Sequence, residues 1–166
     1  MVIVYTSNTG FTREYAEMLA RAEKKKVYAM DEARLEDKTP VFYMGPLMAG
    51  RIEGLDQALK QYEVRGVCGV GMSPPGPQIL STMEKANYVP NAPIFYLQGG
   101  WAPEKVSWLK RRMVNMVTRS GRKALEAKPS RTKAEQAQLD YLIRGGNCVE
   151  YRNLDTIRSW MKEQKD

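Results

Sequence analysis

Residues 2–20 read VIVYTSNTGFTREYAEMLA, and the fold turns on how this stretch is parsed. VIVYT (2–6) is a short apolar, β-favouring run, and TREYAEMLARAEKK (12–25) sets Tyr15, Met18, Leu19 and Ala22 at helical spacing. Ser7, Asn8, Thr9, Gly10, Phe11 and Thr12 lie at the handover. A strand that passes straight into a helix presents unpaired backbone N–H groups at the positive end of the helix dipole. Ser7, Asn8, Thr9 and Thr12 add side-chain donors, and Gly10 lets the backbone come close to a ligand. The combination suits a phosphate dianion and needs no lysine. The plainer alternative is that Ser7 or Thr9 only caps the helix, but this run is richer than a cap requires.

Beyond this stretch, strand and helix signals keep alternating. KVYAM (26–30), PVFYMG (40–45), GVCGVG (66–71) and APIFYLQGG (92–100) read as further strands. GLDQALKQYE (54–63) and QILSTMEKANY (78–88) read as helices between them. CVEYR (148–152) reads as a last strand-like piece, followed by the helix NLDTIRSWMKEQ (153–164) with Asn153 as its cap. Near-continuous apolar strands separated by helices predict a five-stranded parallel sheet covered on both faces. In such sheets ligands sit beyond the carboxyl ends of the strands, at a switch in strand order. The tips to watch are TSNTGFT, GPLMAGRIEG, GMSPPGP and QGGWAP. Residues 1–166 are read as one domain, with 101–146 as a long insertion within or after the fifth strand.

Composition narrows the chemistry. The 166 residues contain no histidine, which removes Ser–His and Cys–His nucleophile pairs and the commonest zinc ligand. Cys68 and Cys148 stand far apart and read as free thiols in a reducing, cytoplasmic setting. MVIVY is too short for a secretory signal and no run reaches membrane-span length, so neither export nor insertion is expected. The chemistry is therefore expected of a cofactor. The net charge is +7, but residues 101–133 hold ten Lys or Arg against two Glu, a balance of +8, while the remainder carries 16 positive and 17 negative groups. One segment holds the whole excess.

The run Ser7-Asn8-Thr9-Gly10-Phe11-Thr12 after a first strand resembles the flavodoxin signature [Ser/Thr]-x-Thr-Gly-x-Thr. Neither a Walker loop nor GxGxxG is present. The resemblance implies a flavodoxin-like three-layer α/β sandwich, with this loop holding the phosphate of FMN. Within that superfamily the chain is most similar to menaquinone-dependent protoporphyrinogen dehydrogenases. Those proteins also follow the fifth strand with a basic, methionine-rich helix, here PEKVSWLKRRMVNMVTRSGRK (103–123), and close in a way that CVEYRNLDTIRSWM resembles. A porphyrinogen-like donor and a quinone acceptor are what this likeness implies.

By the same likeness the flavin ring lies between the loops after strands three and four. Pro46, Leu47, Met48, Ala49 and Gly50 form the first, and Met72, Ser73, Pro74 and Gly76 the second. Neither contains an aromatic residue; Leu47 and Met48 would cover one ring face, and Met72 with Pro74 and Pro75 the other. Arg51 is the one charge in the first loop and suits an anionic reduced flavin or a substrate carboxylate. Trp101, just past the fifth strand, either leans over the site or simply packs. In the basic helix Val106, Leu109, Met113, Met116 and Val117 form an apolar stripe. That stripe either joins the core or meets a membrane surface, which would place the protein peripherally at the inner face. Two other roles stay open, namely a soluble electron-transfer flavodoxin and a non-enzymatic module whose basic helix binds a partner. Electron carriers of that family are typically acidic, and this chain is basic.

Overall fold

The computed structural model describes residues 1–164. The chain separates into two units, one formed by Met1–Gly99 with the segment from Cys148 onward, the other by Gly100–Asn147.

The first unit holds the sheet. Its strands are β1 (Val2–Tyr5), β2 (Val27–Ala29), β3 (Pro40–Met48), the short β4 (Arg51–Ile52), β5 (Glu63–Gly71) and β6 (Ile94–Gln98). The order is β2-β1-β3-β5-β6, every pair parallel, with β4 attached antiparallel to the end of β3. Leaving β4 aside, the five long strands run 2-1-3-4-5, and the switch in order lies between β1 and β3.

Strand residues alternate between two cores, as a two-residue period requires. Ile3, Phe42, Met44 and Cys68 point to the face covered by α1 (Phe11–Glu23) and α6 (Asp155–Glu163), where Tyr15, Leu19, Ile157 and Met161 are buried. Val4, Val41, Tyr43 and Val67 point to the face covered by α2 (Leu55–Gln61) and α3 (Pro77–Ala86), through Leu55, Ala58 and Met83. The result is the three-layer α/β arrangement that the alternating pattern predicts. The small side chains of β5 make room for its neighbours. A Cβ at Gly66 would stand 2.7 Å from the Trp160 ring, and one at Gly69 would stand 2.5 Å from Met83. Trp160 so seated packs at a tilt against Phe42 and Phe95, with ring centroids 5.6 Å from each.

The close of the chain departs from expectation. CVEYR forms no strand of the main sheet; residues 148–150 are irregular and a 3-10 turn spans Tyr151–Leu154. Nor does Asn153 cap α6: Leu154 holds the cap position, Asn153 lies inside the 3-10 turn, and its side-chain amide donates to the Tyr15 hydroxyl at 2.7 Å and to the Cys148 carbonyl at 3.2 Å. These two bonds, with fully buried Leu154, tie the segment to α1. The Cys148 N–H donates to the Gly99 carbonyl at 2.8 Å, so the two ends that bracket the insertion meet directly.

The second unit begins and ends as a two-strand antiparallel pair, β7 (Gly100–Trp101) with β8 (Gly146–Asn147). Between them run α4 (Trp108–Glu126) and α5 (Lys133–Arg144), which pack on one another. The basic helix starts at Trp108, later than the sequence suggests, because Ser107 caps it by accepting from the Lys110 N–H at 3.3 Å. Thr132 and Glu135 form a reciprocal capping box at the start of α5, and Gly145 ends that helix with φ 84°.

Candidate functional site

The loop from Thr6 to Gly10 leaves the carboxyl end of β1 and enters α1. Gly10 occupies the cap position in the left-handed region, φ 100°, and no cap side chain bonds into the helix from it. A Cβ built there would meet nothing within 4 Å, so glycine is present for its backbone conformation and open space lies beyond it. Ser7 Oγ accepts from the Arg13 N–H at 3.3 Å, which is a loose cap. Thr12 is buried, whereas Asn8 and Gly10 are exposed. The Asn8 side-chain amide donates to the Glu53 carboxylate, so of the polar groups in this run Asn8 is committed within the protein.

Glu53 sits just after β4, and it joins the first loop to the second. The hydroxyl of Tyr43 lies 2.8 Å from both the Glu53 carbonyl and Thr6 Oγ1. A carbonyl only accepts, so the tyrosine proton goes to Glu53 and Thr6 donates to the tyrosine oxygen. Burial pushes the Tyr43 phenol up to about 12, with the Thr6 bond opposing. Gly54 follows with φ 79°, and a side chain there would strike the Tyr43 hydroxyl.

The predicted second loop is a β-hairpin. Pro46, Leu47 and Met48 extend β3, Ala49 and Gly50 turn with φ 49° and 82°, and Arg51 with Ile52 returns as β4. Positive φ at both central residues is the turn that matches strand twist, and Gly at its second position suits it. Buried Asn87, at the end of α3, pins this hairpin. Its side chain accepts from Ile52 N–H at 2.9 Å and donates to the carbonyls of Gly50 at 2.7 Å and Met83 at 2.8 Å. Gly50 is itself buried against Thr82. Arg51 is exposed and pairs with Asp56 at 3.2 Å.

The third loop is pinned from β6. Tyr96 donates from its hydroxyl to the Ser73 carbonyl at 2.6 Å, and Gln98 from its amide to the Met72 carbonyl at 3.1 Å. Pro74 is exposed, and Gly76 precedes Pro77, the first residue of α3. Tyr96 therefore supplies beside Gly71 an aromatic ring that the loop sequence lacks. Tyr43, Asn87, Tyr96 and Gln98 carry no local motif. They are visible in the sequence only as polar-tipped residues inside otherwise apolar strands or at a helix end.

An open cleft of about 780 Å³ lies at the carboxyl ends of β1 and β2. Ser7 and Gly10 line it, together with Thr6, Arg13, Asp31 and Glu32, while the hairpin and the third loop do not. Arg13 is paired with Glu17 at 2.7 Å, and that bond raises its already high pKa. The Tyr5 phenol on the cleft wall is raised, mainly by burial, with Arg13 opposing. Both thiols are raised by burial, Cys68 the more strongly, which keeps them as thiols and poor nucleophiles at neutral pH. Trp101 is buried within β7. Among the described residues no group of His, Cys, Asp and Glu is arranged to hold a metal ion. No helix among them is long and apolar enough to cross a membrane. No protein-family model matches the chain, and no curated protein matches it.

Proposed function

We propose that this chain is a flavodoxin-like redox protein that seats FMN with the phosphate on the Ser7–Thr12 loop. The observation that carries the reading is Gly10: a left-handed glycine at the N-terminus of α1, directly after β1 and beside the strand-order switch, with open space before it. First-turn N–H groups, Ser7 and Thr9 would bind the phosphate, and no cation is needed. Asn8 would orient the loop through Glu53 rather than bind the phosphate itself. Leu47 and Met48 on the hairpin, with Met72 and Pro74 on the third loop, would pack the ring. Asn87 and Tyr96 hold those two segments in place from behind. When bound, FMN supplies hydride and single-electron transfer, chemistry for which this histidine-free chain offers no side-chain substitute. The role is an oxidoreductase passing electrons from a reduced, porphyrinogen-like substrate to a quinone-type acceptor.

The test is a titration of the purified protein with FMN, followed by removal of the excess. Retained visible flavin bands and quenched FMN fluorescence are the expected result, and Gly10→Ala should weaken the affinity at least about tenfold. Loss of bound-flavin reduction by a reductant, or no reoxidation by a soluble quinone, would remove the oxidoreductase role. Absence of quenching at micromolar FMN would remove the cofactor reading altogether.

A further inference from the structure

Helix α4 presents two unlike faces. It packs on α5, and Val114, Thr118 and Leu125, three of its half-buried residues, share one side. At 100° per residue, Leu109, Met113, Met116 and Val117 fall within an arc of about 100° on the other side. That stripe is not part of any core. Met116 is 70% and Val117 77% exposed, and α4 has no buried residue. Arg112, Arg119 and Lys123 form a row along one edge of the stripe, all exposed, and Trp108 at the helix start is 71% exposed. Glu126, in the last turn, is the helix's one acidic residue.

From this pairing of an exposed apolar row with an adjoining cationic row, we infer that the Gly100–Asn147 unit docks on an anionic lipid bilayer through α4. With its other side on α5, α4 laid in the headgroup layer satisfies both rows together: the methionines, Leu109 and Val117 enter the acyl boundary, and the cations reach outward to lipid phosphates. Trp108 suits the same depth, with an apolar ring and one N–H. Other occupants fit less well. A second copy would set two cationic rows together within segments already carrying a balance of +8. Nucleic acid would engage the cations and leave the apolar row in water.

The experiment is co-sedimentation of the full chain with vesicles of phosphatidylcholine containing about one-third phosphatidylglycerol, against phosphatidylcholine alone. The protein should pellet with the anionic vesicles, much less with the neutral ones, and less again as salt is raised. Arg112→Gln, Arg119→Gln and Lys123→Gln together should reduce partitioning by about fivefold per charge. Met116→Glu with Val117→Glu should abolish it while circular dichroism stays unchanged, since both sites are exposed. Trp108 emission, read as the difference from Trp108→Phe, should shift to shorter wavelength on adding anionic vesicles. No pelleting, equal pelleting with neutral vesicles, or pelleting that survives the glutamate pair would each overturn the inference. So would a lipid-free dimer that the glutamate pair dissolves, which would give the face to a second copy. None of these readouts involves flavin, so this inference and the cofactor reading stand or fall separately.

Discussion

Tyr43 shows how one buried hydroxyl can tie the first loop to the second. Its proton serves the Glu53 carbonyl and its oxygen receives Thr6, so Tyr43→Phe would remove both of these bonds at once. The expected loss is about 1–3 kcal/mol of stability, measured as a lower urea midpoint. The same residue predicts an alkaline limit. Its folded pKa, about 12, stands above the ordinary phenol value of 10.0, so its contribution is intact below pH 10 and is lost as pH rises from 10 to about 12. A shift of that size is worth on the order of 2–3 kcal/mol across that window. Tyr5 and Tyr15 are raised as well, so Tyr43→Phe should flatten the alkaline fall without abolishing it. Gly10 is a different kind of residue, because nothing packs against it and its cost lies in φ alone. Gly10→Ala should lower stability by about 1–2 kcal/mol and should bear harder on phosphate binding than on the fold.

The β3–β4 hairpin was legible only as a loop, and the reason is local. PLMAGRI has a turn-forming glycine but no alternating pattern to mark two strands, and a return strand of two residues leaves too short a period to detect. What makes it a hairpin is Asn87, distant in sequence, which satisfies the Ile52 N–H and the Gly50 carbonyl. Asn87→Ala should destabilise by about 2–3 kcal/mol, because Ile52 N–H is left buried without an acceptor. It should also weaken FMN binding even where Gly10 is intact. An unchanged urea midpoint together with unchanged flavin affinity would show that the clamp holds nothing. The closing segment makes the opposite point. CVEYR has strand-like residues, but Asn153 and Leu154 draw the chain toward Tyr15, and long-range contacts override the local preference.

For the whole molecule, the division into two units carries its own prediction. The sheet, both cores and all three candidate loops belong to the first unit, and Gly99 and Cys148 already meet through a 2.8 Å hydrogen bond. Replacing Gly100–Asn147 by a short glycine linker should therefore leave the α/β circular-dichroism signature and cooperative unfolding in place. FMN affinity should change little and vesicle binding should vanish. A chain that fails to fold without the insertion would show instead that the sheet depends on it.

The strand–helix alternation, the parallel sheet and the phosphate-loop candidate were all readable from residue order, because periodicity and helix-end chemistry act over a few neighbours. The strand order, the hairpin clamp by Asn87 and the link from Thr6 through Tyr43 to Glu53 required the folded chain. So did the exposure of the α4 stripe, since periodicity marks an apolar face without saying what covers it. Each of these depends on groups many residues apart, whose meeting is set by packing around the sheet and on α5 rather than by local preference.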